Sequence, residues 1–137
     1  MSKDYHNNDH NTATFEKLCN TIFALNYNIR FAGVIDTMGK LVAGGMRHGL
    51  KSMEDNENSQ KLYVEFALRS IMREEFDEKF GKTIYSFSER EKIKLASFPL
   101  DDHHILRVSI EKDESHRNQI IENILEIISN NKSIGLD

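Results

Sequence analysis

Cysteine, proline and tryptophan are scarce in this chain of 137 residues. The single cysteine, Cys19, excludes an intramolecular disulfide and fits a reducing compartment. No apolar run approaches the roughly 18 residues that a membrane span needs, and the amino-terminal residues lack the apolar stretch of a secretory signal. These absences predict a protein of the cytoplasm that does not associate with a membrane.

An excess of positive charge is also missing. Lysine and arginine number 18, aspartate and glutamate 22, which gives a formal net charge of -4 at pH 7. General nucleic-acid binders carry a basic excess, so this balance argues against that class of protein. The length and the ordinary share of hydrophobic residues, 39%, instead predict one soluble globular domain.

The sequence does contain a regular succession of apolar patterns. Residues 1–11 are polar and predict a disordered tail, so that residues 12–137 form the single domain. Apolar residues that recur at three and four positions predict helices over 13–26, 59–80 and 116–131, the last of them capped by Ser115. Segments that alternate or are rich in β-branched and aromatic residues predict strands over 29–35, 41–46, 83–88, 93–99 and 105–111.

A tight turn at residues 36–40, D-T-M-G-K, joins the first two strands. Gly39 is expected to supply the positive φ of this turn, and Asp36 to accept hydrogen bonds from backbone amides. Gly81 is expected to end the long helix in the left-handed conformation. The order α-β-β-α-β-β-β-α predicts an α/β (α+β) domain with a single five-stranded antiparallel sheet. The first and last helices would cover one face of this sheet and the long helix the other.

Residues 31–45, F-A-G-V-I-D-T-M-G-K-L-V-A-G-G, and the ordered set of eight elements resemble the roadblock/dynein-light-chain domain, which has a profilin-like fold. Residues 88–100, S-E-R-E-K-I-K-L-A-S-F-P-L, are also similar to small uncharacterised archaeal proteins with no assigned activity. The roadblock resemblance implies a sheet order of 2-1-5-4-3, which leaves the strand over 83–88 on an edge. The loop over 44–58 departs from the family, because it is longer and more charged than the usual connection.

The resemblance also implies a function. Roadblock domains form homodimers by pairing this edge strand and the adjacent long helix, and several act as scaffolds or regulators of small GTPases. The implied dimer interface combines exposed side chains of the long helix with residues of the edge strand: Tyr63, Arg69, Arg73, Thr83, Tyr85 and Phe87. A charged residue in place of Phe87 is expected to give monomers.

The loop at residues 44–52, G-G-M-R-H-G-L-K-S, invites comparison with a phosphate loop. That motif needs glycine directly before Lys-Ser or Lys-Thr at the start of a helix, whereas here Leu50 separates Gly49 from Lys51. The loop therefore predicts no nucleotide site. Basic side chains of the loop and of a charged turn are candidate contacts for an anion or a partner: Arg47, His48, Lys51 and Arg90.

No catalytic, metal or cofactor motif is recognisable in the sequence. Residues 101–104, D-D-H-H, predict a solvated turn, and Cys19 predicts a buried core side chain. The sequence therefore predicts a non-enzymatic homodimeric interaction or regulatory module without a cofactor, for which a small GTPase is a candidate partner. Two other functions stay open. One is a PAS-like sensor that holds a small molecule between sheet and helix, and the other is an enzyme that acts on a phosphorylated metabolite through the loop over 44–51.

Overall fold

The computed structural model describes residues 2–53 and 56–133. Its helices are α1 (Ser2–Phe23), α2 (Asn56–Arg73), α3 (Asp77–Phe80) and α4 (Arg117–Ser133), and a 3₁₀ turn at Glu74–Phe76 joins α2 to α3. Its strands are β1 (Ile29–Asp36), β2 (Leu41–Met46), β3 (Ser86–Glu89), β4 (Ile93–Asp101) and β5 (His104–Glu111). The predicted order of helices and strands is therefore confirmed, with the long helix divided at the 3₁₀ turn.

The strands form one antiparallel sheet in the order β2-β1-β5-β4-β3, as the resemblance implies. β1 and β5 lie at its centre and pair from Ile29↔Ile110 to Asp36↔His104. Both strands are buried along most of their length, because helices cover the sheet on both sides. Within the described ranges, no helix combines the length and the apolar character needed to cross a membrane.

The two faces of the sheet carry separate apolar clusters, because successive side chains of a strand point to opposite sides. The main core lies between the sheet and the pair α1 and α4, and its most buried members include Phe15, Leu18, Ile22, Phe98, Leu106 and Ile124. A smaller cluster lies under α2 and consists of Phe31, Ile35, Tyr63 and Ile105. The expected division of the helices between the two faces is thus confirmed.

The turn between β1 and β2 has the predicted chemistry. Asp36 Oδ1 accepts hydrogen bonds from the backbone amides of Met38 at 2.9 Å and Lys40 at 3.0 Å. Gly39 has a φ of +80°, and a Cβ atom at this position would lie 2.6 Å from the Cα of Val64. Gly39 is therefore required twice, once for the turn and once for the close approach of the hairpin tip to α2.

α1 begins and ends earlier than the predicted helix over 13–26. It starts at Ser2, within the residues assigned to a tail, and stops at Phe23. Asn26 closes the connection to β1, because its side chain accepts the amide of Asn28 at 2.7 Å and its carbonyl accepts the amide of Ile29 at 3.2 Å. The disorder of residues 1–11 stays a prediction, and Met1 lies outside the described residues.

Two predicted helix termini differ in detail. At the start of α4 the carboxylate of Glu114, and not the hydroxyl of Ser115, accepts the amide of His116 at 2.6 Å. Gly81 follows α3 with the expected positive φ of 79°, but its ψ of 169° lies outside the left-handed helical region. The chain therefore leaves α3 in an extended direction that only glycine adopts readily.

β3 is shorter than the predicted strand over 83–88 and is shifted towards its carboxyl end. Its pairing with β4 runs from Ser86↔Ser97 to Glu89↔Lys94. The same register would next place Ile84 opposite Pro99, which has no amide hydrogen and so cannot donate to a neighbouring strand. Residues 83–85 consequently run beside β4 without strand pairing.

Candidate interaction surface and an adjacent cavity

α2, the 3₁₀ turn and α3 expose a row of large apolar side chains, called the apolar flank below. Its members are 42% to 79% exposed: Val64, Leu68, Ile71, Met72, Phe76 and Phe80. The rings of Phe76 and Phe80 stack with their centroids 6.0 Å apart. Among the described side chains of α2, those of Tyr63 and Ala67 are buried. Contiguous apolar surface of this kind is a candidate site of interaction.

The apolar surface continues from the flank towards the edge of the sheet. Ile84 is 69% exposed and Tyr85 43%, and both lie in the segment that leads from α3 to β3. β3 pairs only with β4, so its other side is a free strand edge among the described residues. A free edge presents unpaired amides and carbonyls to a second chain.

The structure brings together most of the predicted interface residues. Arg69 is exposed and paired with Glu65, with 2.5 Å between Nη2 and Oε1. Arg73 Nη1 donates to Ser86 Oγ at 2.6 Å and so joins the end of α2 to the start of β3. Thr83 and Tyr85 are exposed on the intervening segment.

Two predicted interface residues are placed differently. Tyr63 was expected to be exposed, but it is 8% exposed and faces the sheet, with its ring centroid 6.1 Å from that of Phe31. Phe87 is half-buried against the main core, and the guanidinium of Arg117 lies 4.6 Å from its ring centroid. The exposed apolar row is therefore formed by the apolar flank and not by the edge strand.

The candidate anion contacts in the loop after β2 do not form a site. Arg47 holds the end of α1, because its Nε donates to the carbonyl of Ile29 and its Nη2 to those of Phe23 and Asn26, each at 2.8 Å. Carbonyls at a helix end carry partial negative charge, which the guanidinium neutralises. Arg47 therefore serves the fold, which corrects its assignment to an anion or partner.

The other three candidate contacts are exposed: His48, Lys51 and Arg90. The carbonyl of Lys51 accepts a hydrogen bond from Arg30 Nη2 at 3.2 Å, and the amide of Arg90 donates to Ile93 across the β3–β4 turn at 2.9 Å. These bonds fix the backbone of the two turns. They do not direct the side chains to a common point.

A cavity of about 560 Å³ lies between α2, the segment at residues 82–84 and the part of β4 that β3 leaves unpaired, and it extends around the edge of the sheet to α4 at Leu125, Ile128 and Ser129. Its apolar lining includes Ile71, Ile84, Pro99, Leu100, Ile105 and Ile128. One end is polar and is formed by Arg73, Ser86 and Ser97. No motif in the sequence marks these two serines. Pro99 was the available signal, because a proline in a strand limits pairing on one side.

The clearly shifted ionisable groups lie away from this cavity. Burial, assisted by the nearby charge of Glu16, raises the pKa of the Cys19 thiol to about 12, so Cys19 is an unreactive core side chain. Hydrogen bonds from the side chain of Asn28 and the backbone of His116 lower the pKa of Glu114 to about 2. In the turn after β4, His104 Nδ1 lies 2.9 Å from Asp101 Oδ1, and His103 is exposed.

The fold is similar to those of several solved structures. A Roadblock/LC7 domain from Streptomyces avermitilis matches with a TM-score of 0.65 and 10% identity, over 89% of this chain and 98% of that one. MglB in a tetrameric arrangement matches with a TM-score of 0.63 and 12% identity, over 88% and 91% of the two chains. Profilin of Schizosaccharomyces pombe matches with a TM-score of 0.56 and 10% identity, over 85% and 97%. These likenesses confirm the roadblock and profilin-like fold.

The comparisons by sequence identify a family. The comparison with curated proteins finds no match. One family model matches residues 8–131, which include every strand and most of the helices. The chain therefore belongs to the family of unknown function DUF6659.

Proposed function

We propose that this protein is a non-enzymatic homodimeric interaction and regulatory module of the cytoplasm, with the apolar flank at the centre of its dimer interface. One observation carries the proposal: six large apolar side chains stay exposed along α2, the 3₁₀ turn and α3 although the fold buries a core elsewhere. Exposure of this extent is unfavourable in water, and association with an apolar surface removes it.

A second copy of this chain is the occupant that the flank fits best. Symmetric dimers use the same patch on both protomers, so the patch must complement itself. An apolar row meets this condition, and charges of both signs border it at Glu65 and Arg69 and at Glu75 and Lys79. An antiparallel pair of flanks would therefore place opposite charges at its rim.

The free edge of β3 would extend the same interface. Edge strands of two protomers can join their sheets through backbone hydrogen bonds. Arg69, Arg73, Thr83, Tyr85 and Phe87 stay in the proposed interface, with Phe87 contributing its backbone, and Tyr63 supports α2 from below. MglB, one of the relatives by fold, is described in a tetrameric arrangement, which supports self-association for this fold.

The regulatory part of the proposal concerns a further protein partner. The resemblance to roadblock domains favours a small GTPase, which would bind a surface of the assembled dimer. The exposed basic side chains His48, Lys51 and Arg90 lie outside the apolar flank and are candidate contacts for that partner. Alanine at these positions should weaken capture of a small GTPase without changing the mass of the dimer.

Native mass spectrometry of the wild-type protein and of Leu68→Glu/Met72→Glu tests the dimer. Both side chains are more than half exposed in the protomer, so the substitutions leave the fold intact but place two carboxylates in the proposed interface. We expect a wild-type dimer and at least a tenfold weaker association of the variant, about 1.4 kcal/mol or more. Leu50→Glu, in an exposed loop away from the flank, is the matched control and should stay dimeric. A monomeric wild-type protein, or a variant that dimerises normally, would contradict the interface.

A further inference from the structure

The cavity beside β4 contains a polar side chain that forms no hydrogen bond with the described residues. Ser97 is 8% exposed and lines the cavity, and no hydrogen bond to its hydroxyl is formed within residues 12–53 and 58–131. The hydroxyl is therefore available to a polar group that enters the cavity.

Ser97 forms one polar end of the cavity together with two other residues. Ser86 is its direct partner across the β3–β4 pair, and the side chains of directly opposed residues lie about 5 Å apart on the same face. Ser86 Oγ already accepts a hydrogen bond from Arg73 Nη1, so its own hydrogen remains available for donation. A guanidinium and two hydroxyl groups that converge in this way match the oxygens of a carboxylate.

The remainder of the cavity sets the other properties of a ligand. Its apolar wall suits a hydrocarbon body, and a volume of about 560 Å³ lies in the range of ordinary small-molecule sites. Two cations line the cavity, Arg73 and Lys82, against four carboxylates, Glu74, Asp77, Asp101 and Asp102. This excess of negative charge disfavours phosphates and other multiply charged anions. A single negative charge is supported only locally, by the guanidinium of Arg73.

We propose that this cavity binds a small amphiphilic carboxylate. Arg73, Ser86 and Ser97 hold its carboxylate, and Ile71, Ile84 and Ile105 contact its apolar body. The site is complete within one protomer and does not depend on the proposed dimer. Because the segment at residues 82–84 forms both a wall of the cavity and a border of the proposed interface, an occupant would also order that segment.

Titration of ¹⁵N-labelled protein with octanoate, followed by backbone amide shifts, tests the site. We expect saturating shifts at Ile84, Ser86 and Ser97 with a dissociation constant on the order of 0.1 mM. Acetate lacks the apolar body and octylamine carries the opposite charge, so both should bind at least tenfold more weakly. Octylamine binding as tightly as octanoate would overturn the carboxylate assignment. Absence of localised, saturable shifts with octanoate would overturn the site itself.

Two pairs of variants distinguish a specific role of the polar end in ligand binding from a general effect of substitution nearby. Ser97→Ala should weaken octanoate binding about tenfold, whereas Ser88→Ala, on the same face of the sheet but outside the cavity, should change it less than twofold. Arg73→Gln should weaken binding at least tenfold, and Arg69→Gln, one turn earlier on α2, should leave it unchanged. Equal effects within either pair would contradict the proposal. Titration of Leu68→Glu/Met72→Glu distinguishes this site from the dimer, because a monomeric variant should still bind octanoate.

Discussion

On one face of the sheet, Leu18 and Ile22 of α1 and Ile124 of α4 are at most 1% exposed, whereas on the other face Tyr63 and Ala67 are the buried residues among the described side chains of α2. The first face is covered by two amphipathic helices, whose apolar sides pack against the sheet. The second face is covered by one helix that exposes a further apolar row to solvent, and a cavity beside β4 opens at the sheet edge, where it is also lined by residues of α4. The stability of the fold therefore resides mainly on the α1–α4 face, which frees the α2 face for binding.

Truncation of one phenylalanine on each face gives the largest predicted effect and tests this comparison. Phe15 is 1% exposed in the main core, whereas Phe66 packs half-buried under α2. Phe15→Ala should lower the free energy of unfolding by about 3–5 kcal/mol, and Phe66→Ala by about 1–2 kcal/mol. Urea denaturation measures both. Equal losses would show that the α2 face contributes as much to stability as the main core.

Arg47 follows β2 and contacts the end of α1. Its substitution is expected to give the second largest loss in the free energy of unfolding. Removal of its guanidinium leaves three carbonyls without their charged donor. Arg47→Ala should therefore lower the free energy of unfolding by about 2–3 kcal/mol. His48→Ala, the exposed neighbour, is the control and should change it by less than about 0.5 kcal/mol. Similar values for both variants would contradict the structural role of Arg47.

The fold followed from the sequence because its signals are local. The periodicity of β1 and β5 and the chemistry of Asp36 and Gly39 act over a few residues and predict the strands and the hairpin correctly. The candidate site depends on contacts between distant residues. Arg47 meets carbonyls 18 to 24 residues earlier, and the register of β3 on β4, whose continuation would place Ile84 opposite Pro99, exists only after the two strands pair.

The burial of Tyr63 is a second feature that the sequence alone does not predict, here within one helix. The apolar pattern of α2 has two stripes, and the sequence does not distinguish the one that faces the sheet from the one that faces solvent. The adjacent residues Tyr63 and Val64 lie against Phe31 and Gly39, and these two contacts fix the rotation of the helix. Tertiary packing thus decided which aromatic side chain became buried.

Glu114, just before α4, makes a pH-dependent contribution to the free energy of unfolding. Its pKa of about 2 lies below the ordinary value of 4.5, so its contribution is fully present above pH 4.5 and is lost as the pH falls towards 2. Glu114→Gln should lower the free energy of unfolding by about 1 kcal/mol at pH 7 and by almost nothing at pH 2. Glu122→Gln, on the exposed side of α4, is the control. A difference between Glu114→Gln and the wild-type protein that stays constant with pH would contradict this account.

A substitution on the apolar flank is expected to have the smallest effect on the free energy of unfolding. This small effect would show that the flank does not support the fold. Met72 is 70% exposed, so Met72→Glu should change the free energy of unfolding of the dilute protomer by less than about 0.5 kcal/mol. The same substitution should weaken self-association, because a charge buried between two flanks loses its hydration. Denaturation at low concentration and sedimentation at high concentration measure the two quantities separately. A large loss of protomer stability would mean that the flank supports the fold, and the contrast between the two faces of the sheet would then fail.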